Sequence, residues 1–327
     1  MVLTVLAVIY LLLTLSVEGF SLSTSPSSRR RGEGDGNSFT SPKSRLLSNL
    51  EATKQDGLFG DTRTDPKALV KNPVILCPSQ FGAPPDYGDL LQELNARGFP
   101  AYVADLGRSD WFELIPHSFT ADYWKGTLQP SKVLRFYYRA IQRTVDLVAE
   151  QHPNQQIHLV GHSIGGWVAR LFLAEEADED TQKRIRSLTT LGSPNKALPE
   201  DAPLAIDQTR GLLSYVNSKY PGATCEGVRY FSAGGSRVRG QVEVPPDFES
   251  ALAFLSYFAL CGKGGEAGDG IVPYSVAELE GGERHLDLGD VKHTGFLPWF
   301  GPGTIQIPGL RWYGTPEVVD LWSDVLD

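Results

Sequence analysis

The sequence predicts an α/β fold: one mostly parallel central sheet with helices on both faces and a small cap or lid excursion. Two observations carry this prediction. From residue 73 onward, short β-rich apolar runs alternate with segments of helical period, as parallel βαβ units require. At one strand-to-helix join a serine stands between glycines, in "HLVGHSIGGW" (158–167). The chain has 327 residues, of which 41% are hydrophobic, enough for one large core or two small ones.

"PVILCP" (73–78) reads as a buried strand, and "YGDLLQELNARG" (87–98) as a helix with Leu90, Leu91 and Leu94 on one face and Gly98 as its stop. "AYVADL" (101–106) is the next strand. "SKVLRFYYRAIQRTVDLVAEQ" (131–151) places Val133, Leu134, Tyr137, Ile141, Val145 and Val148 at helical spacing and predicts one long helix. "QIHLVG" (156–161) is a strand and "GGWVARLFLAEEA" (165–177) a helix; "SLTTLGS" (187–193) and "VRYFSAG" (228–234) are further strands. "PEVVDLWSDVL" (316–326) closes the chain as a helix with Pro316 in its first turn. No internal repeat is present.

Composition excludes some function classes. A net charge of −9 with no basic stripe argues against a nucleic-acid partner and against simple electrostatic docking to anionic lipid. Cys77, Cys225 and Cys261 are scattered, without CxxC spacing or a metal pattern with histidine, so no cofactor or metal is expected. Cys77 reads as a buried thiol, and Cys225 and Cys261 could pair in an oxidising compartment.

Residues 2–17, "VLTVLAVIYLLLTLSV", fall short of the about 20 residues a spanning helix needs. They fit a signal peptide over 1–19 with Val17-Glu18-Gly19 as the cleavage site, although no Lys or Arg precedes the run. Residues 20–45 are rich in Ser and Arg and lack apolar periodicity, as a disordered transit-like segment does. With Phe20 at the new N-terminus, this arrangement resembles the bipartite plastid address of algae with complex, red-lineage plastids. The other reading is a secretory signal followed by a linker. Residues 46–327 form the expected globular domain, with cap segments over 110–130 and 195–262.

The serine is the centre of the functional reading. In Gly161-His162-Ser163-Ile164-Gly165 the chain must turn sharply from strand to helix, so the residues two before and two after must be small. The serine hydroxyl then stands above the sheet edge, beside the free N–H groups of a helix N-terminus. Such an elbow predicts an acid and then a histidine downstream. His293, in the loop "GDVKHTGF", is favoured over His285, which falls in the strand-like "RHLDL". His162 flanks the serine and is expected to point away and pack under the elbow; His117, His152 and His158 are structural or surface residues. Asp269, between glycines in "GDGIVP" (268–273), is favoured as the acid over Asp287 and Asp290, the latter only three residues from His293. Two backbone donors complete an oxyanion hole: the N–H of Ile164 and, from the loop "SQFGAPPDYG", the N–H of Phe81, with Gln80 as the alternative.

The segments "DWF" (110–112), "YWKGTLQPSKVLRFY" (123–137), "GHSIGGWVAR" (161–170), "LTTLGSP" (188–194), "IDQTRGLLSYV" (206–216), "GDGIVP" and "RWYGTPEVV" (311–319) together resemble a plant and algal family of α/β-hydrolases. The family is lipase-like, often plastid-type, and distantly similar to PGAP-type inositol deacylases. The resemblance covers roughly residues 70–327. It implies the α/β-hydrolase fold and a serine hydrolase mechanism on Ser163, Asp269 and His293, without fixing the substrate. The chain departs from common lipases in carrying "PSQFG" where many have an HG pair, which puts the oxyanion donor in question.

Two segments could line an acyl pocket. "DWFELIPHSFTADYW" (110–124) concentrates aromatics, including Trp111, Phe112 and Trp124. "FESALAFLSYFALC" (248–261), with Leu255 and Phe258, is apolar nearly all round, so it must be buried in the core or cover an apolar substrate. The expected activity is cleavage of a carboxylic ester of a lipid or other apolar acyl or alcohol group through an acyl-enzyme, with peripheral membrane contact as an accompanying role. A thioesterase or acyltransferase on the same fold is the first alternative, since one acyl-enzyme can serve several acceptors. A non-catalytic relative that binds an apolar ligand is the second.

Overall fold

The computed structural model describes residues 71–327, apart from 200–201, 203–206, 243–246 and 298–302. The expected signal and transit segments lie outside the described residues. Six strands form one fully parallel sheet: β1 (Val74–Cys77), β2 (Ala101–Val103), β3 (Ile157–His162), β4 (Ile185–Leu191), β5 (Arg229–Gly234) and, at the far edge, β8 (Arg284–Asp287). Their order is β2-β1-β3-β4-β5-β8, so β1 and β3 lie inside the sheet. Two short antiparallel pairs stand apart, β6 (Val238–Arg239) with β7 (Ala267–Gly268), and β9 (Phe296–Leu297) with β10 (Ile305–Gln306).

Strand side chains alternate between two cores. Ile75 and Cys77 of β1, Leu159 of β3 and Tyr230 of β5 point to one face, while Val74, Leu76, Val160 and Phe231 point to the other. The first face is covered by α2 (Arg135–Gln151), α3 (Ile164–Leu171) and α4 (Leu212–Lys219); the second by α1 (Gly88–Ala96) and α6 (Pro316–Trp322). All four side chains of β1 are fully buried, as a strand covered on both faces requires. This is the expected α/β-hydrolase architecture. No described helix is long and apolar enough to cross a membrane.

Three local differences from expectation have physical causes. The predicted helix 131–151 is interrupted at Leu134, where a single turn opened by Pro130 ends before α2 begins. The helix expected to run to residue 177 passes after Leu171 into a wider turn over Phe172–Glu176. The stretch 195–262 is not one cap: α4 and β5 lie within it, and β5 is held between β4 and β8 by the sheet ladder. What remains as excursion is the connection before α4 and the segment from β6 through α5 (Phe248–Cys261) to β7. Cys225 and Cys261 are free thiols, and Cys77 is fully buried, which pushes its thiol up to about 12.

His158 of β3 is buried between the edge of Phe99 and the hydroxyl of Ser187, 2.7 Å from Nδ1. Burial, helped by the Arg186 and Arg229 charges, pushes its imidazole down to about 4. The unfolded chain therefore binds a proton below about pH 6.5 that the folded chain refuses until about pH 4, and stability falls as pH drops through that window. The loss should be on the order of 3 kcal/mol between pH 7 and pH 4. His158→Phe, which cannot titrate, should have a shallower fall in Tm over the same range, measured by thermal scans at stepped pH; equal slopes would refute the assignment.

Candidate active site

The elbow is built by backbone contact. β3 ends at His162, α3 starts at Ile164, and Ser163 between them has φ 55° and ψ −127°, a strained left-handed conformation for a residue with a Cβ. A Cβ on Gly161 would lie 2.3 Å from the Cα of Gly166, and one on Gly165 would lie 2.1 Å from the carbonyl oxygen of Cys77. A Cβ on Gly166 would meet the Ser193 hydroxyl at 2.0 Å. Gly161 and Gly165 therefore satisfy the spacing rule for a steric reason, and Gly166 adds a third close approach that the pattern does not demand. The Ser163 N–H donates to the Leu191 carbonyl, anchoring the turn to the end of β4.

The structure brings Ser163, His293 and Asp269 into one hydrogen-bonded line. Nε2 of His293 is 2.9 Å from Oγ of Ser163, and Nδ1 is 2.8 Å from Oδ2 of Asp269. Asp269 is 2% exposed, and every lone-pair direction it presents is answered. Oδ1 accepts the N–H groups of Ile271 and Val272 at 3.0 and 2.7 Å, and Oδ2 also accepts the Tyr313 hydroxyl at 2.7 Å. Burial alone would raise this carboxyl, but the His293 charge and these donors outweigh it and hold it below the usual carboxylate range. Because the ionised carboxylate can only accept, Nδ1 of His293 carries a proton and Nε2 turns its lone pair to the serine. That is the tautomer a general base needs.

Asp269 follows β7, yet it lies over the ends of β4 and β5, where Cβ atoms on Gly192 and Gly235 would stand 2.7 Å and 3.1 Å from its side chain. The His293 N–H donates to the Asp269 carbonyl at 2.9 Å, so acid and base are also tied through backbone. The rivals are engaged elsewhere. His285, on β8, meets the Ser232 hydroxyl and the Tyr274 carbonyl. Asp287 accepts from Ser236 and the Gly289 N–H, and Asp290 lies 3.8 Å from Lys292.

Ile164 is the first residue of α3, so its N–H has no acceptor inside the helix. Phe81 has φ 59°, in a turn closed by the Gly82 N–H on the Ser79 carbonyl. This loop is held to the elbow where Gly165 passes the carbonyls of Cys77 and Pro78. The Tyr137 hydroxyl also donates to the Pro78 carbonyl.

The expected pocket residues divide. Trp111 is 1% exposed and packs among Phe81, Phe136 and Tyr137, its indole N–H donating to the Gly82 carbonyl. It is a core residue beneath the loop after β1, where its polar tip finds an acceptor, and not a pocket wall. Phe112, Trp124 and Leu255 are exposed, and Phe258 is half-buried. Helix α5 is neither core nor closed lid: of its residues only Ala253, Ser256 and Tyr257 are buried. Those few hold the acid's turn. Tyr257 accepts the Gly270 N–H at 2.8 Å and donates to the Val238 carbonyl at 3.0 Å, while Ser256 donates to the Ile271 carbonyl at 2.7 Å.

Sequence reasoning missed Tyr257 and Tyr313. Tyr257 was hidden inside an apolar helix. Tyr313 lies in "RWYGTPEVV", where nothing local marks a tyrosine that reaches back 44 positions to a carboxylate.

Comparison with known proteins agrees with this architecture. Residues 125–244 match the model of a PGAP1-like alpha/beta domain; the match contains Ser163 and stops before Asp269 and His293. A metagenomic carboxyl esterase shares the fold, with TM-score 0.50 and 13% identity over 81% of this chain and 79% of its own. A mature lipase of Bacillus licheniformis aligns with TM-score 0.45 and 17% identity, covering 71% of this chain and 87% of its own. No curated protein sequence matches the chain significantly. The chain has the α/β-hydrolase fold.

The contact at Gly165 yields a direct expectation. Gly165→Ala must push the Cys77 and Pro78 carbonyls away from the elbow and should cost several kcal/mol, in the range of a buried backbone clash. Gly289→Ala, at a glycine with open space around it but φ 69°, should cost about 1 kcal/mol. Urea unfolding midpoints of the two variants would reverse this order if the elbow were loosely packed.

Proposed function

We propose that this chain is a serine hydrolase that cleaves a carboxylic ester of an apolar acyl or alcohol group through an acyl-enzyme on Ser163. The observation that carries the reading is the unbroken line from Ser163 through His293 to a buried, ionised Asp269, set on a strand-to-helix elbow. In this reading His293 Nε2 takes the hydroxyl proton as Oγ attacks the ester carbonyl. The developing oxyanion is met by the N–H groups of Ile164 and Phe81. Collapse expels the alcohol, which receives the proton from His293. Water then repeats the sequence and releases the acid, returning the proton to Oγ. Asp269 stays ionised throughout and stabilises the imidazolium.

Exposed apolar surface supports an apolar substrate. Phe119 is 82% exposed, Trp124 64% and Leu255 58%, with Phe112, Ile115 and Phe248 also open to solvent. All belong to the excursion after β2 or to helix α5, and surface of this kind suits an acyl chain or a lipid interface.

Ser163→Ala and His293→Ala should each abolish turnover of a p-nitrophenyl ester and labelling by a fluorophosphonate, because the serine cannot lose its proton unaided. Asp269→Asn should fall by about 10⁴-fold, and His285→Ala should stay close to wild type. An active His293→Ala protein, or a folded wild type that takes no label with or without detergent, would end this reading.

Because Leu255 and Trp124 are exposed, Leu255→Asp and Trp124→Asp should leave Tm unchanged. On long-chain esters each should lower kcat/KM by about tenfold, equivalent to ~1.4 kcal/mol of lost apolar contact. Acetate esters, with almost no chain to lose, should be nearly unaffected. A chain-length series that is flat in both variants would remove these surfaces from substrate handling.

A further inference from the structure

His162 does more than fill space beneath the elbow. It is 1% exposed, surrounded by the rings of Tyr87, Phe296, Trp312 and Tyr313, and both ring nitrogens are used. Nε2 lies 2.7 Å from the backbone carbonyl of His293, and Nδ1 lies 2.9 Å from the hydroxyl of Tyr87. The Tyr87 oxygen is in turn 2.7 Å from the N–H of Ser79 and 3.1 Å from its hydroxyl.

The protons in this chain are fixed by elimination. A carbonyl can only accept, so Nε2 of His162 must carry the proton. Burial, with the adjacent His293, pushes His162 down to about 3, so the ring is neutral and Nδ1 presents a lone pair. Tyr87 must therefore spend its single proton on Nδ1. Its oxygen is then an acceptor for both the backbone N–H and the hydroxyl of Ser79. Every bond points one way, from the loop that carries Phe81 to the loop that carries His293.

We infer that Ser79, Tyr87 and His162 form a directed hydrogen-bond relay that positions His293 against the oxyanion loop, so that the base and the oxyanion donor hold one fixed separation. This rests on the serine hydrolase reading. The His293 backbone is gripped at both ends, its N–H by the Asp269 carbonyl and its C=O by His162. Asp269 sets the tautomer and direction of the ring; the relay sets where the residue stands. His162 and Tyr87 touch no reacting atom in this scheme and are positioning residues.

Conservative variants separate this role from packing. In His162→Gln the side-chain amide reaches about as far as Nε2 and keeps a donor for the His293 carbonyl. In His162→Asn the shorter amide keeps an acceptor for Tyr87 and loses that carbonyl. Tyr87→Phe keeps the ring and deletes the hydroxyl. On an acetate ester, His162→Asn, which loses the His293 carbonyl, should lower kcat by about ten- to a hundredfold, the scale of a sub-ångström to 1 Å misplacement, with KM within about twofold; Tyr87→Phe, which leaves that contact in place, should lower kcat by less. His162→Gln, which keeps the His293 contact and gives up the Tyr87 one, should recover kcat to about the level of Tyr87→Phe. The Tyr87→Phe/His162→Asn double variant should be no worse than the poorer single, since both cut one chain.

A second measurement does not depend on turnover. The hydrogen-bonded Nδ1–H proton of His293 should give a low-field ¹H resonance that persists in His162→Gln and shifts or broadens in His162→Asn, where the contact to the His293 carbonyl is lost. Equal impairment of the Gln and Asn variants, additive losses in the double variant, or an unmoved resonance in a folded His162→Asn protein would each overturn the relay. If wild type hydrolyses no ester, the functional reading falls, and the resonance alone still decides whether His162 positions His293.

Discussion

The site depends on how closely the first turn of α3 approaches the ends of β1 and β4. Gly165 passes the Cys77 carbonyl and Gly166 passes Ser193 at distances that leave no room for a side chain. That contact forces Ser163 into its strained backbone conformation and points the helix N-terminus at the space above the sheet. It also holds the loop after β1 against the elbow, where Gly165 meets the Cys77 and Pro78 carbonyls. The strain at Ser163 persists because packing on all sides over-determines it: the helix behind, β4 through the Ser163 N–H, and β1 in front.

Around that fixed point the polar groups are held by buried tyrosines. Tyr313 donates to Asp269, Tyr257 secures the turn that presents it, and Tyr87 reaches His162 behind the serine. A tyrosine suits the task because its ring adds to the core while its hydroxyl supplies one donor and one acceptor at a reach of several ångströms. Burial pushes the hydroxyls of Tyr87, Tyr257 and Tyr313 well above their ordinary range, so they stay neutral donors across the pH range of an assay. The site is thus a carboxylate and two imidazoles set in a wall of aromatic rings.

Helix α5 joins the site to the surface. Its inner side carries Ser256 and Tyr257 to the acid's turn, Phe254 packs over Gly240 and Gly264, and Glu249 pairs with Lys292, the neighbour of His293. Its outer side leaves Leu255 and Phe248 in solvent. One element therefore braces the acid, reaches the base loop and presents apolar surface, which neither a core helix nor a detached lid would do.

The sequence by itself determined the architecture and the elbow. Alternating apolar runs and helical periods define βαβ units because burial on both faces leaves little choice of pattern, and Gly-x-Ser-x-Gly at a strand-to-helix join has a local steric cause. The order of Asp269 and His293 downstream was legible for the same reason: chain topology returns both to the carboxyl edge of the sheet. Tertiary structure decided the rest. Trp111 became core because the loop after β1 folds over it, and Leu255 became surface because the apolar helix docks by a few residues only. Tyr87, Tyr257 and Tyr313 acquired their roles through contacts made across long sequence separations, and His162 became a bridge because Tyr87 and the His293 carbonyl converge on its two nitrogens. Periodicity and motif spacing record which face of an element is buried; they carry no information about which polar atoms meet once distant elements pack, since that is set by the geometry of the whole core.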